Sequence, residues 1–144
     1  ASQGSDPSSR RTPSQVLPIT ATATIANQMF ELEVAQTPRQ KEFGLMYRTF
    51  MPLNRGMLFQ FNPAQPVKFW MKHCLISLDM IFLRQGSVVA IAAKALPCQK
   101  TPCPVYGPDE PVDQVIEVKG GRTAEIGLKV GSKIEIKPIP KHTK

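Results

Sequence analysis

Apolar and polar residues alternate over several short stretches of the chain. In ITATATI (residues 19–25) the isoleucines and alanines face one way and the threonines the other, and MFELEV (29–34) alternates in the same manner. Because successive side chains of a strand point to opposite faces, both stretches predict half-buried β-strands. Asn27 and Gln28 between them predict a tight turn, and therefore an N-terminal hairpin.

A short helix is predicted directly after this hairpin. Thr37 is a favourable N-cap residue, Pro38 suits the first helical position, and Gln40 stands where a capping box requires it. Phe43 begins a run of apolar residues at helical spacing, which extends the predicted helix to about three turns. Pro52 ends it.

The rest of the chain predicts more short strands, separated by turn residues. These strands cover residues 57–61, 67–73, 78–84, 88–96, 114–118 and 133–139. The stretches 78–84 and 88–96 lack alternation, which predicts strands covered on both faces. GGRTAEIGL (120–128) predicts a second short helix. About eight strands with one or two short helices predict a mainly β (β-rich α+β) fold, as a small curled sheet or barrel.

The length of 144 residues fits one domain. We expect a disordered leader over residues 1–14, because this stretch is polar and rich in Ser and Pro, then a β-rich domain over 15–138 and a basic tail over 139–144. The first residue is Ala1 rather than Met, which fits removal of a signal peptide. We therefore expect an exported protein, periplasmic or at the cell surface.

Charge and hydropathy bear on the partners of the protein. The net charge is +7, and most of the excess lies in residues 129–144. A nucleic-acid binder needs basic residues gathered along a face or groove, so no nucleic-acid partner is expected. No apolar stretch approaches the roughly 20 residues of a membrane-spanning helix. The expected protein is a monomer without a cofactor.

The three cysteines also bear on the compartment. Cys98 and Cys103 lie in the proline-rich loop LPCQKTPCPVYGP, and this spacing predicts a disulfide between them. Cys74 is then a free, buried thiol. Three reduced thiols in a cytosolic protein are the alternative.

Residues 69–82, FWMKHCLISLDMIF, form an apolar run that contains Lys72, His73 and Asp79. Charged side chains are almost never fully buried unless they are paired. Trp70 is predicted to lie in the core, because it belongs to the densest apolar strand.

Asp79 must be exposed, hydrogen-bonded to the backbone or paired with a cation. We expect a buried Asp79 paired with Arg48, Arg55 or Lys72, three cations that its neighbouring motifs supply. Such a pair could simply stabilise the fold. It could also form a polar niche, built from Arg48, Lys72, His73 and Asp79, that binds a small polar or anionic ligand.

Two chemical alternatives use the same run of residues. A small hydrolase could use His73 and Asp79 with Ser77, although a strand makes this geometry awkward and no nucleophile elbow is present. Met71 and His73 share a predicted strand face and could bind copper as soft ligands, but no third ligand is visible. Phosphate-loop, dinucleotide-binding and zinc-binding motifs are absent from the sequence.

Several motifs in fixed order resemble the DUF192 family, a domain of unknown function. They are GLMYR (44–48), RGMLFQF (55–61), FWMKHCLISLDMIF (69–82) and VIEVKGG (115–121), with a cysteine-bearing loop before the last. The resemblance covers about residues 29–136. It implies a small β-rich fold, often in exported bacterial and archaeal proteins, and no established activity or catalytic residue.

Two positions depart from the usual pattern of this family. His73 stands where the family typically has Asn, and Ser77 where it typically has Pro. A role that needs an amide at position 73 is therefore not carried over to this chain. Taken together, these features predict an exported binding or accessory domain of unknown ligand or protein partner rather than an enzyme.

Overall fold

The computed structural model describes residues 13–140 of the chain. Most of the predicted leader and of the predicted basic tail therefore lies outside the described residues. The described part forms nine strands and two short helices. They are β1 (Ile19–Ile25), β2 (Gln28–Ala35), α1 (Pro38–Phe43), β3 (Arg55–Gln65), β4 (Phe69–Trp70), β5 (Leu78–Arg84), β6 (Ser87–Ala95), β7 (Val105–Tyr106), β8 (Val112–Lys119), α2 (Arg122–Glu125) and β9 (Glu135–Pro138).

Seven of the strands form one curled sheet in the order β6-β5-β8-β3-β2-β1-β9, while β4 and β7 pair separately. β2 and β3 are parallel, and the other neighbours in the sheet are antiparallel. Val88 on the β6 edge exchanges backbone hydrogen bonds with Gly131 and Ser132, which precede β9. No ladder joins β6 to β9, so the sheet curls without closing. The predicted mainly β curled sheet is confirmed, and its barrel alternative is not formed.

The sheet buries apolar side chains on both faces. One face carries the methionine-rich layer, which includes Met51, Met57, Phe59, Met71, Cys74, Met80, Phe82 and Val115. The other face carries the aliphatic layer, which includes Ile25, Leu32, Leu58, Ile81, Leu83, Ile116 and Val118. The central strands β3, β5 and β8 contribute to both layers. This two-sided burial explains why the sequence of β5 shows no alternation.

The N-terminal hairpin and helix follow the predicted local signals. β1 has the predicted bounds, but the turn is formed by Ala26 and Asn27, with φ angles of 48° and 67°, one residue before the predicted Asn27 and Gln28, since Gln28 already belongs to β2. The capping box of α1 is present, with Thr37 and Gln40 as its two partners. The helix is six residues long, shorter than predicted, because the chain leaves it at Gly44, which has a φ of 51°.

The predicted strand over 67–73 is confirmed only at Phe69 and Trp70 and is wrong at 67–68 and 71–73. β4 contains only Phe69 and Trp70, and His73 has a φ of 62°, which is incompatible with a strand. Phe69 packs inward, with its ring centroid 5.0 Å from that of Phe59. Trp70 therefore points outward and is 41% exposed, so its predicted place in the core is also wrong.

The cysteine predictions are confirmed in the structure. Cys98 and Cys103 form a disulfide, and Cys74 is free and buried. The amide of Cys98 donates a hydrogen bond to the carbonyl of Met71, and the amide of His73 donates one to the carbonyl of Cys98. The disulfide loop is thereby attached to the segment that follows β4.

Neither described helix could cross a membrane. Within residues 13–140, α1 has six residues and α2 has four, and no helix is long and apolar enough for a span.

Candidate functional site

Asp79, on β5, has no exposed surface and accepts four hydrogen bonds. Its Oδ1 accepts from the amides of Lys94 (2.8 Å) and Gly121 (2.9 Å). Its Oδ2 accepts from the amide (2.8 Å) and the hydroxyl (2.6 Å) of Thr123. The carboxyl thus joins β5 to β6 and to the first turn of α2, whose amides have no partners within the helix.

The local backbone around Asp79 is shaped to present these donors. A register shift between β5 and β6 lies beside Asp79, and Lys94 at this irregularity has a φ of 51°. Gly121 has a φ of 90°, which favours glycine. A Cβ on the preceding residue, Gly120, would collide with Ser77. Gly120 and Gly121 of the VIEVKGG motif therefore allow the backbone conformation that turns these amides toward Asp79.

The predicted pairing of Asp79 with a cation is wrong. Among the described residues Asp79 makes no ion pair, because backbone amides and one hydroxyl supply its donors instead. Arg48 and Arg55 pair with other carboxylates, those of Glu33 and Glu31. The structure therefore does not bring the predicted polar niche together around Asp79.

Arg48 belongs to a network that fixes α1 against the sheet. Its guanidinium pairs with Glu33, which is buried although alternation predicts an exposed side chain, and donates to the carbonyl of Gln15. Glu33 also accepts from the amide of Leu17 at 2.8 Å. The Gln15 amide group donates to the carbonyls of Gln40 and Gly44, at the end of α1. Arg48 thus supports the position of α1.

Lys72 and His73 lie elsewhere on the surface. The Lys72 ammonium is 5.2 Å from the ring centroid of Trp70, and the His73 ring stacks on Tyr47 at 5.3 Å. No described hydrogen bond joins His73 to Asp79, so the pair proposed for hydrolysis is not assembled. Met71 is buried in the methionine-rich layer and does not share a strand face with His73.

The site that the structure does assemble is a cavity of about 430 Å³ beside the methionine-rich layer. α1 and the residues after it form one wall, and β3, β8, β4 and residues that flank β4 supply the rest. The lining residues are Lys41, Glu42, Phe43, Gly44, Leu45, Met46, Phe59, Phe61, Val67, Lys68, Phe69, Trp70, Cys74 and Glu117. Most of them are apolar, and five are aromatic.

Glu117 places an acidic group in this apolar cavity. It is 4% exposed, and its neighbours across the sheet are Met57 on β3 and Met80 on β5. No described residue donates a hydrogen bond to its carboxyl or forms an ion pair with it. Burial raises the pKa of Glu117 from its ordinary value of 4.5 to about 8. The group is therefore largely protonated at neutral pH.

Cys74 also lines the cavity. Burial, with a further contribution from the nearby Glu117, raises the pKa of the Cys74 thiol to about 12. Because the thiolate is the reactive form, this thiol is not an activated nucleophile near neutral pH. Among residues 13–140, no group of three or more His, Cys, Asp and Glu side chains is placed to hold a metal ion.

Sequence reasoning missed Glu117, although a signal was present. Glu117 lies between Ile116 and Val118, just as Asp79 lies between Leu78 and Met80. An acid flanked by apolar residues in a predicted central strand is a buried acid unless the strand reaches the surface. The cavity itself depends on how α1 and β4 cover the sheet, which the local pattern does not encode.

The chain belongs to the DUF192 family. Residues 19–136 match this family, described as "Uncharacterized ACR, COG1430". The resemblance predicted from the motifs is thereby confirmed. No protein with curated annotation matches the chain.

Two solved structures share the fold and 32% sequence identity with this chain. One is a protein of unknown function from Novosphingobium aromaticivorans DSM 12444, with a TM-score of 0.73 over 92% of this chain and 99% of that one. The other, from Sinorhizobium meliloti 1021, carries a provisional description as a transcription regulator and has a TM-score of 0.73 over 81% of this chain and 91% of that one.

Proposed function

We propose that this protein is a binding module whose cavity, bounded by α1, β3, β4 and β8, takes a small organic ligand with an apolar body and one polar group. The observation that carries this proposal is Glu117, an acid only 4% exposed that lines a largely apolar cavity and whose carboxyl accepts no hydrogen bond from a described residue. Buried polar groups in folded proteins nearly always have a hydrogen-bond partner. A ligand group would supply the partner that the described residues do not.

The size and lining of the cavity support this proposal. Ligand sites usually occupy about 300–1,000 Å³ and combine apolar walls with a few polar groups. The cavity has about 430 Å³, and its walls include Phe59 and Phe69. A perturbed carboxyl in a concave site is a further mark of a functional site.

Binding is favoured over catalysis by the chemistry of the two titratable groups inside the cavity. The raised pKa of Cys74 disfavours a thiolate nucleophile, and no described hydrogen bond links Glu117 to a second catalytic group. The cavity therefore offers recognition without a nucleophile and base in contact.

We also propose that the protein works in an oxidising compartment, exported to the periplasm or cell surface. The disulfide between Cys98 and Cys103 supports this location, because disulfides persist mainly outside the cytosol. The distribution of charge disfavours the DNA-binding role that the description of the S. meliloti relative suggests. The excess positive charge lies near the C-terminal end, whereas DNA binding requires it along a face or groove.

The proposal is tested by filling the cavity. Met46 lines it and is partly exposed, so Met46→Trp should occupy its volume. Met29→Trp is the matched control, because Met29 is 59% exposed and does not line this cavity. Both variants and the parent are screened by protein-observed NMR against cationic, neutral and anionic aromatic fragments, after thermal unfolding has shown that all three are folded.

We expect some fragments to shift the amide signals of cavity residues in the parent and in Met29→Trp, and to lose this effect in Met46→Trp. A native-state ligand should also raise the melting temperature of the first two proteins. The proposal is wrong if no fragment binds, or if Met46→Trp binds the fragments as well as the control does.

A further inference from the structure

We propose that the cavity selects organic cations, namely an aromatic or aliphatic body that carries an ammonium group. This inference rests on the proposed binding function and names the ligand class of the same site. It is carried by two features of the cavity, an aromatic lining and a buried acid without a described partner.

The aromatic lining is the first feature. The aromatic lining residues are Phe43, Phe59, Phe61 and Phe69, together with Trp70, whose side chain is 41% exposed. Phe69 meets Phe59 and Phe61 edge to face, with centroid distances of 5.0 Å and 6.2 Å. The face of an aromatic ring is electron-rich and attracts cations, most strongly where water is excluded. A wall of several rings therefore favours a cationic ligand over an anionic one.

Two lysine side chains of this protein already make cation–π contacts with aromatic residues that line the cavity. The ammonium of Lys41, a lining residue, is 4.8 Å from the ring centroid of Phe61. The ammonium of Lys72 lies 5.2 Å from the centroid of Trp70, another lining residue. Both distances are within the range of a cation–π contact. The Lys41–Phe61 contact, between two lining residues, thus shows a ring of the lining that attracts a cation, and the exposed Trp70 beside the cavity attracts a second one.

Glu117 is the second feature. Its carboxyl is 4% exposed, lines the cavity and has no described donor or cation. A buried carboxylate is stabilised by an opposite charge or, as at Asp79, by several hydrogen-bond donors, and Glu117 has neither among the described residues. An ammonium group of the ligand would supply the charge that no described residue supplies to Glu117. Binding would then ionise Glu117 and release its proton to solvent, because the pKa of about 8 keeps it protonated in the free protein at neutral pH.

Four other titratable groups face the cavity. Lys41, Glu42 and Lys68 come from its walls, and Cys74 lies inside it. The Lys68 ammonium already bonds to the carbonyl of Gly107 and to Asp109, at 3.0 Å from the latter. Cys74 has a pKa of about 12 and stays neutral below pH 9. Glu117 is therefore the group whose ionisation should control binding between about pH 7 and pH 9.

An anionic ligand is the alternative to a cationic one, because Lys41 carries a positive charge at the cavity. An anion could pair with the Lys41 ammonium, but it would be repelled by Glu117 as this carboxyl ionises. Cations and anions therefore differ in the sign of their pH dependence. They also differ in the sign of the effect of removing the Lys41 charge.

The inference is tested by isothermal titration calorimetry with three probes of similar size. These are benzyltrimethylammonium, whose charge is permanent, neutral benzyl alcohol and anionic phenylacetate. We expect the ammonium to bind most tightly. Its affinity should rise roughly tenfold from about pH 7 to about pH 9, as the ionised fraction of Glu117 increases. The heat of binding at pH 7 should vary with the ionisation enthalpy of the buffer, since a proton is released.

Two variants separate the charges involved. Glu117→Gln keeps the shape of the side chain, and should abolish both the rise of affinity with pH and the dependence on buffer. Lys41→Gln should increase the affinity for the ammonium probe, whereas Lys133→Gln, at an exposed position outside the cavity, should leave it unchanged.

The inference is overturned if phenylacetate binds more tightly than the ammonium, or if Glu117→Gln retains the rise with pH. Should Glu117→Gln not fold, the buffer dependence of the parent decides, and a heat that does not vary with the buffer contradicts the inference. If neutral fragments occupy the cavity but the ammonium does not bind preferentially, the proposed binding function stands and the cation preference is wrong.

Discussion

Asp79 and Glu117 are two buried carboxyls on neighbouring strands that differ in their hydrogen-bond partners and in their access to a cavity. On the ladder between β5 and β8, Asp79 is opposite Val118 and Glu117 is opposite Met80. Asp79 belongs to the face of the aliphatic layer and accepts four hydrogen bonds. Glu117 belongs to the face of the methionine-rich layer, lines a cavity and accepts none from the described residues.

This difference shows that burial of an acid does not by itself identify a functional site. Asp79 is fully satisfied and holds three segments of the chain together, which is a structural role. Glu117 stabilises nothing that the structure describes, and its burial has a cost that the fold must offset elsewhere. A buried acid that faces a cavity without a partner is the stronger indication of ligand binding.

The largest expected effect is the loss of the Asp79 carboxyl. Asp79→Ala leaves three backbone amides and the Thr123 hydroxyl without their acceptor. Since each buried donor left unpaired costs about 1–3 kcal/mol, we expect a loss of about 5 kcal/mol in the free energy of unfolding. Urea denaturation measures it. Asp109→Ala is the control, because the Asp109 side chain is fully exposed, and its unfolding midpoint should not change. Equal midpoints for the two variants would contradict the role of Asp79.

The second effect is a pH dependence of stability that arises from Glu117. The folded protein holds the Glu117 proton up to a pKa of about 8, whereas the unfolded chain releases it near the ordinary value of 4.5. The native state therefore binds more protons between these values, and stability decreases as pH rises through this window. The loss should be on the order of 4 kcal/mol, complete above about pH 8.

The comparison of the parent with Glu117→Gln isolates this contribution, because the other titrating groups are shared. Cys74 contributes little below about pH 8, since burial raises the pKa of its thiol from the ordinary 9.0 to about 12 and the thiol is mainly neutral in both states there. Thermal unfolding from pH 4 to pH 9 should show the parent losing stability relative to the variant. Parallel curves would mean that Glu117 has an ordinary pKa.

The smallest effect has the opposite sign to that of Asp79→Ala. Glu117→Leu removes a buried polar group that has no described partner and adds apolar surface to the methionine-rich layer. We expect a gain of about 1 kcal/mol in the free energy of unfolding at pH 7. Chemical denaturation measures it. A loss of stability instead would show that the carboxyl makes a contact in solution that the fold depends on.

The strands could be predicted where local periodicity decides them. β1 and β5 have their predicted bounds, because alternation marks one and continuous apolar character marks the other. The end of β3 is not visible in the local pattern, because Asn62 and Pro63 predict that the strand stops at residue 61. The strand continues to Gln65, which pairs with Val112 on β8. Such pairing between distant segments is not visible in a local pattern.

The burial of Asp79 could also be predicted, but its partners could not. The flanking apolar residues indicate burial, whereas the donors on Lys94, Gly121 and Thr123 lie 15, 42 and 44 residues away along the chain. A cation is the usual partner of a buried acid. The prediction of a cation was wrong because the backbone can present amides to a carboxylate wherever a bulge or a glycine turns them toward it.

Arg48 and Glu33 show a further limit of the sequence pattern. Alternation on β2 places Glu33 on the solvent side, yet the segment 15–17 covers this part of the sheet and buries it. Arg48, predicted to bind a ligand, forms an ion pair with Glu33 instead. The cavity and the role of Glu117 likewise depend on coverage of the sheet by α1 and β4, and neither could be read from one strand.

The most direct test of the contrast between the two acids is a titration of Glu117 observed by NMR. The carboxyl carbon of Glu117, assigned with the help of Glu117→Gln, is followed in the free protein from pH 3 to pH 10. Burial without a partner predicts a midpoint at about 8. A midpoint near the ordinary value of 4.5 would show that the carboxyl is solvated or paired in solution. The distinction between a satisfied Asp79 and an unsatisfied Glu117 would then be lost.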